Sequence, residues 1–255
     1  MSAPILEAAN IALRYAGTSG DILCAFDMSL AAGETVAILG PSGVGKSSLL
    51  RVLAGLQDPT AGVVKMRGTP LSGTHPRIAI AFQDPGLLPW LSLEKNVSFG
   101  LDFVKQPVLP PAERRRRVDA AIAEVGLSDA RRRYPSQLSG GMAQRTALAR
   151  CLARGPEVLL LDEPFGALDE ITRAEMQHLL LKVVRDFQTG VVLITHDIDE
   201  ALLLTDRIVL LGGSPASQIE EWRVDLPKPR DDYVAEIGAI RIDILKALRG
   251  ATRPI

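Results

Sequence analysis

One stretch, GPSGVGKSS over residues 40–48, restricts what this chain can fold into more than any other. Its Gly40, Gly45, Lys46 and Ser47 fit the spacing G-x-x-x-x-G-K-[ST]. Glycines let the backbone curl so that N–H groups point inward at a phosphate. Lys46 adds a mobile positive charge for the outer phosphates, and the Ser47 hydroxyl is placed to bind Mg2+. A loop of this kind needs a strand feeding it and a helix leaving it. The apolar run TVAILG ends at Gly40, and helical spacing runs from Lys46 to Leu56, where Asp58 and Pro59 stop it.

Strand and helix then alternate along the chain. ILEAANIALRYA and ILCAFDMSLAAGE read as strands before the loop, and AGVVKMRG and RIAIAFQ as strands after it. From Pro85 to about residue 153 the pattern is helical. There Val118, Ala121, Ile122 and Val125 define a single apolar face. Next come strand EVLLLDEP, a helix over 170–187, strand GVVLITH, a helix over 197–204 and strand RIVLLGG. This order predicts a mostly parallel sheet covered on both faces. From Ser214 a polar stretch, an LPKPR turn and a helix over 232–249 are expected.

The chain has 255 residues, enough for a large core in one or two domains. A formal net charge of −1 argues against nucleic acid as a main ligand. The basic runs ERRRR and DARRR read as solvated helix faces. Cys24 and Cys151 stand in no metal-like spacing, which predicts two reduced, buried small hydrophobes. The opening MSAPILEAANIAL lacks the basic start of a signal peptide, and no run approaches the ~18 apolar residues of a membrane span. A soluble protein is expected, with docking on a membrane partner still open.

Two further features bear on phosphate chemistry. VLLLDEP is a buried strand with Asp162 at its C-terminal end, where α/β sheets bind ligands. Asp162 is the expected Mg2+ partner, and Glu163 the candidate general base for an attacking water. The strand VVLIT delivers His196 to the same sheet edge; His75 and His178 have no such context. Farther off, Ser139, Gly140 and Gly141 precede the helically spaced Met142, Leu148, Ala149 and Leu152. That is an anion-facing helix start with no lysine of its own.

Taken in order, these motifs resemble the nucleotide-binding subunits of ATP-binding-cassette (ABC) transporters over residues 5–212. GPSGVGKSS is similar to the P-loop (Walker A), with Pro41, Ser42, Gly43, Val44 and Ser48 completing it. Gln83 in IAFQDP resembles the Q-loop glutamine, LSGGM the signature motif, VLLLDEP the Walker B strand and FGALD the D-loop. His196 resembles the H-loop histidine, and Tyr15 stands where the family puts an aromatic under adenine. The resemblance implies an α/β fold: a RecA-like P-loop core with an antiparallel β subdomain and an inserted helical signature subdomain, about 84–152. It implies an ATPase domain over 1–212 and a short tail over 213–255.

The resemblance also implies chemistry and partners. Two cassettes pair head to tail, so Ser139, Gly140 and Gly141 complete the ATP site of a second copy. ATP and Mg2+ are the implied cofactors, with Gln83 joining Ser47 and Asp162 at the metal. Glu163 and His196 flank the water, with Gln83 beside them, and Asp169 organises the dimer contact. Met142 replaces the usual glutamine of the signature, Ala143 a longer polar residue, and Ser48 the common threonine. Activity is expected to survive these departures.

LLPWLSLEKNV follows Gln83 where the family's cassettes receive a coupling helix, so Leu87, Leu88, Trp90 and Leu91 are expected as an exposed apolar cluster. LLPW resembles the import branch for nitrate, sulfonates, taurine and thiamine-precursor pyrimidines. The implied partners are permease subunits and, indirectly, an extracytoplasmic binding protein, with the chain peripheral at the cytoplasmic face of the inner membrane. A soluble ABC ATPase, an exporter, and a P-loop kinase or GTPase are the alternatives; the last explains neither LSGGM nor His196.

Overall fold

The computed structural model describes residues 3–15, 17, 20–230 and 232–251. Along the chain run β1 (Leu6–Leu13), β2 (Leu23–Leu30), β3 (Thr35–Leu39), α1 (Lys46–Leu53), β4 (Ala61–Met66), β5 (Thr69–Pro70) and β6 (Ile78–Ala81). Then follow α2 (Leu93–Ser98), α3 (Pro111–Glu124), α4 (Gly140–Leu152), β7 (Val158–Asp162), α5 (Glu170–Phe187), β8 (Gly190–Ile194), α6 (Ile198–Leu204), β9 (Arg207–Gly212), β10 (Ser217–Arg223) and α7 (Val234–Ala251).

The central sheet has the order β10-β9-β3-β8-β7-β6. Its pairings are parallel except β9 with β10. Every residue of β3 and β8 is buried, which is why these strands read as unbroken apolar runs rather than alternating ones. A second, antiparallel sheet has the order β2-β1-β4-β5. Here burial alternates, as in β2 with Leu23, Phe26, Met28 and Leu30 inward, because one face alone meets the core. Leu49, Leu50 and Leu53 of α1 pack between the two sheets and share their core.

Helices α2, α3 and α4 form the helical region. Val118, Ala121, Ile122 and Val125 are all buried, as their spacing predicts, and join Leu159 and Leu161 of β7 in one cluster. Between β6 and α2, buried Asn96 shapes the LLPWLS loop. Its amide donates to the carbonyls of Leu88, Leu91 and Ser92 at 3.0–3.2 Å and accepts from Leu88 N at 2.8 Å.

Three expectations need correction. First, α1 stops at Leu53 rather than Leu56. Gly55 turns the chain there at φ +66°, and a Cβ on it would lie 2.2 Å from Gly73 O. Second, the polar stretch SQIEEWR is strand β10, closing the sheet antiparallel to β9. Third, Cys24 is half-buried; of the two cysteines Cys151 alone is fully enclosed, and burial pushes its thiol up to about 11. The sequence leaves open where the helix of the tail packs: Ile244 of α7 and Val224 are buried with Leu202 and Leu210.

Candidate active site

The phosphate loop leaves the C-terminal end of β3. Gly40 allows close passage, since a Cβ there would lie 2.6 Å from Leu211 O. Gly45 caps α1 at φ +103° with no side-chain cap. The first N–H groups of α1 are therefore not satisfied by a capping side chain, and they face the loop as donors for an anion. Lys46 curls back over the loop and donates to the carbonyls of Gly40 at 2.9 Å and Pro41 at 3.0 Å. Burial lowers the pKa of its ammonium, and the Glu163 and Asp162 carboxylates oppose that shift. The lysine is thus buried on carbonyls that an anion could replace.

At the end of β7, Ser47 Oγ donates to Asp162 Oδ1 at 3.2 Å. Burial raises the Asp162 pKa against the pull of that bond. Among the described residues no group of three or more His, Cys, Asp or Glu could hold a metal unaided. A hydroxyl and one carboxylate beside a phosphate loop do fit Mg2+, which keeps several waters and takes phosphate oxygens in such sites.

Glu163 sits at φ +45°, a conformation side chains seldom adopt. Its N–H is tied to Ile194 O at 2.9 Å, linking the ends of β7 and β8. Its Oε2 lies 3.3 Å from His196 Nδ1. Gln83 joins them: a Cβ on Gly166 would lie 3.9 Å from both Gln83 Nε2 and Glu163 Oε2. Absence of a side chain at residue 166 leaves that space between amide and carboxylate. Tyr15 is half exposed, and its hydroxyl is hydrogen-bonded to Ser48 Oγ in the first turn of α1.

The structure therefore gathers Lys46, Ser47, Asp162, Glu163, His196 and Gln83 at the C-terminal edge of the parallel strands. Ser139, Gly140 and Gly141 stand apart. Ser139 caps α4, its Oγ accepting from Met142 N at 3.3 Å. Gly141 lies against α5, where a Cβ would meet Thr172 Cγ2 at 2.3 Å, and Asp169 caps that helix through Thr172 N at 3.0 Å. None of their contacts among the described residues reaches the phosphate loop.

Other parts escape sequence reasoning. Gln144 of α4 donates to Gln83 O at 2.8 Å, and Arg150 donates to Pro85 O at 2.6 Å and Gly86 O at 2.9 Å. Helix α4 thus holds the Gln83 loop by its main chain. Behind His196, Thr195 Oγ1 donates to buried Glu200 at 2.7 Å and accepts from Asp197 N at 3.0 Å. The spacing of Glu200 one turn beyond His196 was the available signal. Trp90 is 69 % exposed, but Leu87, Leu88 and Leu91 are half-buried, so the expected cluster is one indole on a partly packed base. His75 is half-buried and His178 exposed.

Fold and site together define a P-loop nucleoside triphosphatase. The sequence pattern of the family described as "ABC transporter" matches residues 23–166. An aliphatic sulfonates import ATP-binding protein, SsuB 1 of Xanthomonas axonopodis pv. citri, is 46% identical over 243 residues, covering 94% of each chain. A taurine import ATP-binding protein, TauB of Chromobacterium violaceum, is 45% identical over 218 residues, 86% of this chain and 82% of its own. The solved ATP-binding cassette MJ0796, a dimer in a post-hydrolysis state bound to ADP and Pi, superposes with a TM-score of 0.76 at 30% identity, covering 87% of this chain and 100% of its own. The chain belongs to the ABC transporter family and is one of its ATP-hydrolysing subunits. Among the described residues no helix is long and apolar enough to cross a membrane.

Proposed function

We propose that this chain hydrolyses MgATP at the interface of two copies and thereby drives import of a small oxyanion of the sulfonate type through a membrane permease. One observation carries the reading: the helix start at Ser139 has anion-binding geometry but lies off the phosphate loop of its own chain. A head-to-tail pair supplies the missing half, giving each ATP the loop of one copy and the Ser139–Gly141 turn of the other.

Within such a site the roles follow from the geometry. Lys46 exchanges the carbonyls of Gly40 and Pro41 for phosphate oxygens. Main-chain N–H groups from residues 40–48 hold the phosphates, and Tyr15 stacks on the base. Ser47, Asp162 and Gln83 hold Mg2+, which when bound neutralises charge on the phosphates. Glu163 orients the attacking water and accepts its proton, and His196 keeps the carboxylate and water in line. Positioning and fixed charge do most of the work, because the phosphoryl group moves with little covalent help.

Trp90 and the half-buried leucines at its base form the surface for the permease. The subunit then sits at the cytoplasmic face of the membrane, and an extracytoplasmic binding protein delivers the cargo. The likeness to import subunits named for sulfonates and taurine supports this cargo class. Tagged chain recovered from native membranes in mild detergent tests it. A stoichiometric multi-span partner is expected, and with that partner in proteoliposomes ATP-dependent uptake of taurine or an alkanesulfonate. Recovery with ribosomal or DNA-repair proteins alone would replace the transport reading with a soluble ATPase. Uptake of nitrate but of no sulfonate would replace the cargo.

A further inference from the structure

Opposite the ATP edge lies a cavity of about 380 Å³ with mostly apolar walls. Arg77 precedes β6, Pro156 and Glu157 precede β7, and Thr189 precedes β8, so the cavity opens at the N-terminal ends of three parallel strands. Its other wall is α3 with the end of α4. It therefore joins the helical region to the sheet at the edge away from Lys46 and Glu163.

Positive charge is concentrated there. A Cβ on Gly155 would lie 3.4 Å from Arg117 Nη1 and 3.6 Å from Arg77 Nη1, so two guanidinium groups converge on one point. Arg77 Nη1 also donates to Gly155 O at 3.0 Å, which fixes that guanidinium at the cavity, so its remaining N–H donors are the ones a ligand would meet. Glycine at residue 155, at φ +63°, leaves that point open. The nearby acids are engaged by other cations. Glu157 accepts from Arg67 at 2.6 Å, and Glu124 from Lys182. Glu113 accepts from Arg116 through Nε and Nη2 and from Arg117 through Nε alone, and among the described residues the Arg117 Nη groups have no hydrogen-bond partner. Beyond the arginines the floor is Ala120, Ala121, Leu152 and Phe187. Phe187, 58 % exposed, lines the cavity as its one aromatic among the described residues.

Volume, apolar floor and paired arginines together describe a ligand, since small-molecule sites are concave, mainly apolar and oriented by a few polar groups. We propose that this cavity binds a small organic anion, a carboxylate or sulfonate head on an apolar body. The head lies between Arg77 and Arg117, which suit planar or tripodal oxyanions through paired N–H donors. The body lies on Phe187 and the alanines of α3. This site is separate from ATP hydrolysis and does not rest on the transport reading.

Calorimetric titration of the full chain with hexane-1-sulfonate and with hexanoate tests it, with ADP present to fill the phosphate loop. Saturable binding of at least one anion is expected, and hexan-1-ol, lacking the charge, should bind about tenfold or more weakly. Arg117→Gln removes one guanidinium, and Ala120→Trp, at an exposed position on the wall, fills the space. Each should weaken the anion about tenfold or more while ADP binding stays unchanged, which also shows that the variants are folded. Absence of saturation by about 20 mM for both anions overturns the proposal, as does binding that survives both variants.

Discussion

Glu163 Oε2 lies 3.3 Å from His196 Nδ1, across the gap between the ends of β7 and β8. The same two strands are tied by the Glu163 N–H to Ile194 O bond. Carboxylate and imidazole are therefore aligned by the sheet rather than by a mobile loop. Glu163→Gln keeps the shape and removes the proposed base. ATP binding and ATP-dependent dimerisation are expected to persist, and hydrolysis to fall at least about 100-fold. Phosphate release and size-exclusion chromatography with ATP read the two properties. Wild-type turnover would remove Glu163 from the chemistry.

Lys46 and Ser139 belong to opposite halves of the proposed composite site. Lys46→Ala should abolish nucleotide binding by its own copy. Ser139→Ala should leave binding to the isolated copy intact, cost about 1 kcal/mol as a lost cap and stop hydrolysis. Mixing the two inactive variants restores one complete site per mixed pair, so activity should reappear. No recovery on mixing, with both variants folded, argues that each copy works alone.

Arg230 is 1 % exposed, although LPKPR reads as an ordinary turn. Its guanidinium donates to the carbonyls of Leu226 at 3.1 Å, Leu202 at 2.5 Å, Thr205 at 2.7 Å and Val224 at 2.8 Å. Arg230→Met leaves those buried acceptors without a donor. A loss of about 3 kcal/mol or more is expected in urea unfolding, given the cost of each unsatisfied group. A change within experimental error would mean that water replaces the guanidinium.

Asp206 gives a pH dependence of defined sign. Burial acts to raise its carboxyl, but the Lys228 ammonium at 2.7 Å and the Thr35 donors outweigh it and hold the pKa below the ordinary value. A depressed carboxylate stabilises the fold above its unfolded pKa of about 3.9, and that stability is lost as pH falls through the lower, folded value. Asp206→Asn should therefore destabilise the protein at pH 7 and flatten its stability profile below about pH 4. Unfolding midpoints measured across that range show whether wild type and variant converge at the acid end.

The phosphate loop, the Walker B strand and His196 were legible because each follows an apolar strand whose direction places its end at one sheet edge. The spacing of Val118, Ala121, Ile122 and Val125 likewise gave the buried face of α3. Strand β10 was not legible. SQIEEWR sits at the sheet edge with five of its seven residues polar or charged, and only pairing with β9 makes it a strand. Long-range contacts hid the rest. Nothing local to Arg230 announces its carbonyl partners. Likewise the Glu163 N–H finds its partner on Ile194, in the next strand of the sheet, and the hold of α4 on residues 83–86 joins segments more than sixty positions apart. The end of α1, by contrast, is a local signal: Gly55 closes the helix with its N–H on Val52 O at 3.0 Å and the Leu56 N–H on Arg51 O at 2.9 Å, a glycine cap that the expected helix to Leu56 overruns.

That hold has an evolutionary consequence. Gln144 and Arg150 grip carbonyl oxygens, which every amino acid carries, so the loop is fixed in place whatever side chains it displays. Residues that face a partner can be exchanged without disturbing the frame beneath them. With a permease docked at Trp90 as proposed, a lineage can fit the same ATP-driven motor to a new membrane companion by rewriting a few outward-facing positions around that indole, leaving the hydrolytic machinery untouched.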